Sequence, residues 1–176
     1  MPPLLKPAEC SVLVLDGAGE PNHVERDAVA ARERILRAAA LCDVPGFRAA
    51  REQVHSPAGD AALSCQPIYC PPTPGTPWAD TPLGLALAKA SRTCLLICGH
   101  WLDECITFTA LNALAEGYDT YVLTDASPPL DIGDRHIAIL RLVQAGIVPT
   151  TTRQVLREWA AEISDAHQRN QVLALL

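Results

Sequence analysis

The chain lacks any run of about eighteen apolar residues, so no segment reads as a membrane-spanning helix. It also lacks a basic stripe. The formal net charge is −6 with 19% of residues charged, which argues against a nucleic-acid binder. The start, Met1-Pro2-Pro3-Leu4-Leu5-Lys6-Pro7, has no basic residues leading into a long apolar stretch. No signal peptide is expected, and the expected setting is cytoplasmic. Seven cysteines cannot all pair with one another, and in an unexported chain reduced thiols are expected. Cys94 and Cys98 sit four strand residues apart, roughly 13 Å at about 3.3 Å per residue, too far to share one metal ion. Cys65 and Cys70 are poorly spaced for a zinc clip. No metal and no other cofactor is expected. Lysine is scarce, with only Lys6 and Lys89.

Apolar residues are plentiful, at 49% of 176, which suits one domain over residues 1–176 with a sizeable core. Cys10 to Asp16 is a short apolar, β-branched run that ends in an acid and Gly17-Ala-Gly19, a buried strand followed by a loop. Val24, Ala28, Ala31, Ile35, Ala39 and Cys42 recur at helical spacing, with Arg32, Arg34 and Arg37 between them. A weak strand is expected at Gly46 to Ala50, and a short edge strand near Ile68-Tyr69-Cys70. Asp80 is the expected cap of a helix that has Pro82 in its first turn and ends near Ser91. Thr93 to Cys98 is a second buried strand. A helix over Glu104 to Glu116 stops at Gly117. Tyr118 to Asp125 is a strand, Asp131 to Ala145 a helix, and Ile147-Val148-Pro149 a short strand. Thr150 or Thr151 caps a last amphipathic helix bearing Val155, Leu156, Trp159, Ala160 and Ile163. The end of the tail, Val172 to Leu176, is apolar enough to dock, and an oligomer contact is one use for the tail over residues 165–176. Strands alternate with helices, so the expected class is α/β: a three-layer, doubly wound, mostly parallel sheet.

Ligands of such sheets bind at the carboxyl ends of the strands, where strand order reverses. In the common order the first and fourth strands are neighbours there. Asp16 ends the first, and residues 99–104 follow the fourth, so Asp16 and Cys105 come to one edge. Cys105 then opens a helix, with Asp103 as the expected cap, and helix-start N–H groups favour a thiolate and an oxyanion. Asp16 is placed to take the thiol proton.

Gly99-His-Trp-Leu-Asp-Glu-Cys105, the helix after it, Gly117-Tyr118 and the strand ending Thr124-Asp125-Ala126 resemble the nucleophile segment of isochorismatase-like cysteine hydrolases. The stretch Arg141 to Pro149 with the following helix resembles the YcaC-type branch in particular. The resemblance implies a Rossmann-like fold, Cys105 as nucleophile and Asp16 as general base. It implies a cis peptide between His100 and Trp101, and an oxyanion turn built from His100, Trp101 and Leu102. The implied reaction is hydrolysis of a small amide-type or related C–N substrate through a covalent cysteine intermediate, in a homo-oligomer. Trp78 and Arg51 are candidates for the substrate pocket.

The chain departs from the family in one main respect. The family's catalytic lysine belongs in the segment near Tyr69 to Pro74, and no lysine is there. Arg51, His55, His100 and Arg135 are the candidate replacements for its charge. Glu104 beside Cys105 opposes thiolate formation if it points inward. His23 and His55 do not reproduce the metal cluster of the nicotinamidase branch. Two readings therefore stand: an active hydrolase with a changed third group, or a catalytically degenerate member kept as a binding or assembly subunit. A nucleotide-binding reading is weak, because Gly17-Ala-Gly19 lacks the third glycine of that fingerprint.

Overall fold

The computed structural model describes residues 4–16, 23–50, 68–69 and 78–176. Their strands form one parallel sheet: β1 (Cys10–Asp16), β2 (Gly46–Ala50), β3 (Ile68–Tyr69), β4 (Cys94–Gly99), β5 (Asp119–Leu123) and β6 (Val148–Thr150). The order is β3-β2-β1-β4-β5-β6, so the direction of winding reverses between β1 and β4. Both strands are apolar almost throughout, and every residue of β4 and all but the last of β1 are buried. Strands buried on both faces need such runs.

Two apolar clusters fill the two faces. Val12, Val14, Leu96 and Cys98 point to the first, which is covered by α1 (His23–Leu41), α5 (Thr152–Glu162) and α6 (Ala166–Leu173). Leu13, Leu15, Leu95 and Ile97 point to the second, under α2 (Pro82–Ala90), α3 (Thr107–Ala115) and α4 (Arg135–Ala145). The alternation along each strand assigns the faces. Trp159 of α5 is fully buried in the first cluster. Trp78, 4% exposed, lies in the second, and a Cβ on Gly84 would meet its carbonyl oxygen at 1.9 Å, so α2 rests directly on it.

Several local expectations change. The cap of α2 is Thr81, whose side chain accepts from the Gly84 N–H at 3.0 Å, rather than Asp80. Pro82 occupies the first helical position, which leaves the capping place to the residue before it. Thr151 caps α5. Helix α4 starts at Arg135, because Asp131 folds back to accept from the Gly133 N–H and makes a turn. The tail forms α6, capped by Asp165, and docks on its own chain. Val172 is buried, and Leu175 and Leu176 pack against the first cluster. No helix among the described residues is long and apolar enough to cross a membrane.

Candidate active site

The register pairs Leu15 with Gly99, and the His100 N–H donates to the Leu15 carbonyl at 3.0 Å. The end of β1 and the start of the turn after β4 are thus fastened together. Gly99 has φ +128, and a Cβ there would meet the Leu15 oxygen at 2.0 Å. Only glycine permits this approach. The His100–Trp101 peptide is cis, as the resemblance implied. The two side chains meet edge to face, with ring centroids 4.8 Å apart.

Beyond this turn the chain makes one π-helical turn, Leu102–Ile106, before α3 begins at Thr107. Cys105 lies inside that turn. It is a free, half-buried thiol packed against the second cluster. Asp103 does not cap the helix. Its carboxylate accepts from the Leu130 and Asp131 N–H groups at 2.8 and 3.1 Å, pinning the loop after β5 against the turn. Glu104 is exposed to solvent rather than turned inward. The expected oxyanion turn is also reduced. The His100 N–H is committed to Leu15, and the Leu102 N–H donates to the Pro128 carbonyl at 3.0 Å.

Asp16 ends β1 in a two-pronged ion pair. Arg48 Nε donates to one carboxylate oxygen at 2.9 Å and Arg48 Nη2 to the other at 2.8 Å. This pairing, then the opposing effect of burial, holds the Arg48 guanidinium above its ordinary value. Arg48 was not among the expected cations. The signal was present in β2: Phe47 and Ala49 enter the second cluster, so Arg48 between them must face the other way, toward the side that Asp16 shares with Val14.

A second arginine was missed. Arg32, expected between the apolar positions of α1, is 7% exposed. Its two terminal nitrogens lie 3.0 and 3.2 Å from the two ring nitrogens of His100. Positions 28, 32, 35 and 39 make a helical stripe, so Arg32 stands in the buried row. Beneath it lies Cys98, whose thiol is pushed up to about 12 by burial, drawn down by Arg32 and raised by Asp125 and Asp16. Asp125 itself holds the start of α5 through the Thr152 N–H and hydroxyl.

Of the other expected residues, Arg51 and His55 lie outside the described residues. Trp78 is buried in the second cluster rather than open to a ligand. Arg135 donates to the Thr124 carbonyl at 3.0 Å. It lines a cavity of about 440 Å³ with Asp27, Ala28, Asp125, Pro128 and Ile132. Neither Asp16 nor Cys105 is among its described lining residues, and Pro128, which accepts from the Leu102 N–H, joins it to the turn.

Residues 73–154 match the family model described as the isochorismatase domain. Over that stretch, a little under half of the chain, the sequence is similar to isochorismatases. Among curated proteins, "Probable hydrolase YcaC" of Escherichia coli strain K12 is 33% identical over 90 residues. That alignment covers 49% of this chain and 43% of the relative, so it spans less than half the relative's length. The crystal structure of E. coli YcaC, described as an octameric hydrolase of unknown specificity, superposes with a TM-score of 0.76 at 22% identity, over 98% of this chain and 90% of that one. A cysteine hydrolase from Pseudomonas syringae pv. phaseolicola 1448A gives 0.74 at 18% identity, over 93% and 99% of the two chains. At these identities the superpositions show the shared α/β fold alone.

Proposed function

We propose that the chain is a cysteine hydrolase that cleaves a small amide-type or related C–N substrate through a covalent intermediate on Cys105. One observation carries the reading: the β1 end bearing Asp16 is fastened to the Gly99–His100 turn that leads into Cys105. Asp16 takes the Cys105 thiol proton, and the thiolate attacks the substrate's carbonyl carbon. The remaining N–H of the turn, on Trp101, is the oxyanion donor this reading uses. The amine departs with the proton from Asp16 and leaves a thioester. Water then attacks, Asp16 takes its proton, and the acid and the free thiol are released. Arg48 orients the carboxylate and offsets its charge, so that a thiolate can form beside it.

The other reading, a degenerate member that binds or assembles, also has an observation in its favour. Both oxygens of the Asp16 carboxylate are already engaged by the Arg48 guanidinium, which leaves fewer of its lone pairs for a thiol proton. Alkylation of the native protein across pH, read cysteine by cysteine by mass, separates the two. The hydrolase reading expects Cys105 to react first and at low pH. A Cys105 that titrates like an ordinary thiol, near pKa 8.5, refutes it. A cytoplasmic setting and assembly into a homo-oligomer, for which the octameric YcaC is the support, belong to the same proposal. A monomeric mass by light scattering counts against the assembly.

A further inference from the structure

The amino edge of the sheet, opposite the candidate active site, carries a pair of thiols. β1 begins at Cys10 and β4 begins at Cys94, and the register sets the two directly beside each other. Both side chains enter the first apolar cluster, so they lie on the same face. Both are free thiols. Directly paired residues on neighbouring strands stand about 4.8 Å apart, inside the range of about 4.4–6.8 Å that a disulfide spans between Cα atoms.

The two thiols are unequal. Cys10 is wholly buried, whereas Cys94 keeps 6% of its surface exposed. The neighbouring Cys94 thiol, followed by burial, holds the proton on Cys10. The Cys10 thiol beside it, aided by the Thr93 hydroxyl at 4.0 Å, draws Cys94 below its ordinary value against the opposing effect of burial. Cys94 is therefore the better nucleophile and the more accessible sulfur, with a second thiol already in place behind it.

We propose that Cys10 and Cys94 are a thiol–disulfide exchange site that closes reversibly to an intrachain disulfide, with a small-molecule disulfide as oxidant. The Cys94 thiolate attacks one sulfur of the oxidant. The oxidant's S–S bond breaks, its other half leaves as a thiolate, and Cys94 carries a mixed disulfide. Cys10 then gives its proton to solvent and attacks the Cys94 sulfur, expelling the second thiolate. The pair loses two electrons and two protons, and the oxidant becomes two thiols. The product ties together the two central strands, at the ends remote from Asp16 and Gly99. The cross-link restricts the unfolded chain, so oxidation raises the thermal midpoint by roughly 5–10 °C.

The test equilibrates the full chain with mixtures of oxidised and reduced glutathione, then blocks free thiols under denaturing conditions. Intact mass and peptide fragmentation give the products. The expected product is lighter by two hydrogens, has two fewer blockable thiols, and maps to a Cys10–Cys94 link. It reverts with dithiothreitol, forms in Cys105→Ser and is missing in Cys94→Ser. The map is read on the unaltered chain, so it stands even if a variant fails to fold. The proposal is overturned if no such species forms at any ratio that leaves the fold intact. It is equally overturned if the link joins another pair, or if Cys94 stops at the mixed disulfide with glutathione.

Discussion

Gly99→Ala is the sharpest perturbation of the junction on which the candidate active site rests. A Cβ at this position meets the Leu15 carbonyl oxygen at 2.0 Å and the Leu15 C and N atoms at 2.7 Å. Comfortable carbon contacts begin at about 3.5 Å, so the end of β1 must draw back by roughly 1–1.5 Å. Nothing flexible can yield instead, because all three atoms are backbone. The retreat strains two hydrogen bonds, from the His100 N–H to Leu15 and from the Gly99 N–H to Ala126, at 3.0 and 3.2 Å. Each contributes about 1 kcal/mol net. The backbone angle of +128 adds about 1–3 kcal/mol for a residue with a side chain. The expected loss is about 3–5 kcal/mol, a large part of the roughly 5–15 kcal/mol that holds a domain of this kind together. Urea unfolding followed by circular dichroism measures it. The midpoint should fall by roughly 1.5–2.5 M with an unchanged slope of about 2 kcal/mol/M. A loss below about 1 kcal/mol would mean that β1 and the turn after β4 do not approach as described, and the proposed proton transfer between Cys105 and Asp16 would lose its support.

Two further outcomes are expected. Arg48→Ala should cost under about 1 kcal/mol of stability, since the pair is partly exposed, yet raise the pH at which Cys105 alkylates by about one unit; an unshifted profile removes Arg48 from the site. The second concerns Cys98, whose folded pKa of about 12 lies above the ordinary thiol value, so the native state keeps a proton that the unfolded chain gives up. Stability from this group is complete below about pH 9 and is lost as pH rises toward 12, about 1.4 kcal/mol of it by pH 10. Urea midpoints of Cys98→Ala should fall less steeply than those of the unaltered chain between pH 8.5 and 10.5, and parallel slopes would refute the assignment.

What the sequence made legible was what local pattern controls. The buried runs at Cys10–Asp16 and Cys94–Gly99 announce central strands, and the reversal of winding between them follows from the fold class. That was enough to bring Asp16 and Cys105 to one edge. The misreadings have local and non-local origins. The cap of α2 was recoverable: a proline at the first helical position makes the preceding Thr81 the cap. The role of Asp103 was not, because its partners, Leu130 and Asp131, lie one strand and one loop away. Helix α6 is polar along most of its length and is held by a capping aspartate and a few apolar contacts at its end, so periodicity gives little sign of it. Arg32 was placed between the apolar positions of its helix, and Arg48 was given no role, as suits a residue type that is usually exposed. Their positions, in the buried row of α1 and between two core residues of β2, outweighed their residue type.

On the proposed reading, replacing a lysine by Arg48 changes more than the address of a positive charge. A lysine in such a site can lose its proton when burial or a neighbour lowers its pKa. A guanidinium cannot under ordinary conditions, and its pairing with Asp16 holds it further above its ordinary value. Arg48 can therefore orient and neutralise, but it cannot carry a proton between steps. Every proton in the cycle then rests on Asp16: from the thiol, to the leaving amine, and later from water. The same two-pronged grip that fixes the carboxylate also engages both of its oxygens. These demands are met together only if the thiol is easy to deprotonate, which is the help that N–H groups at the start of a helical turn supply. The reactivity of Cys105 at low pH is thus the quantity on which the enzyme and the degenerate reading divide.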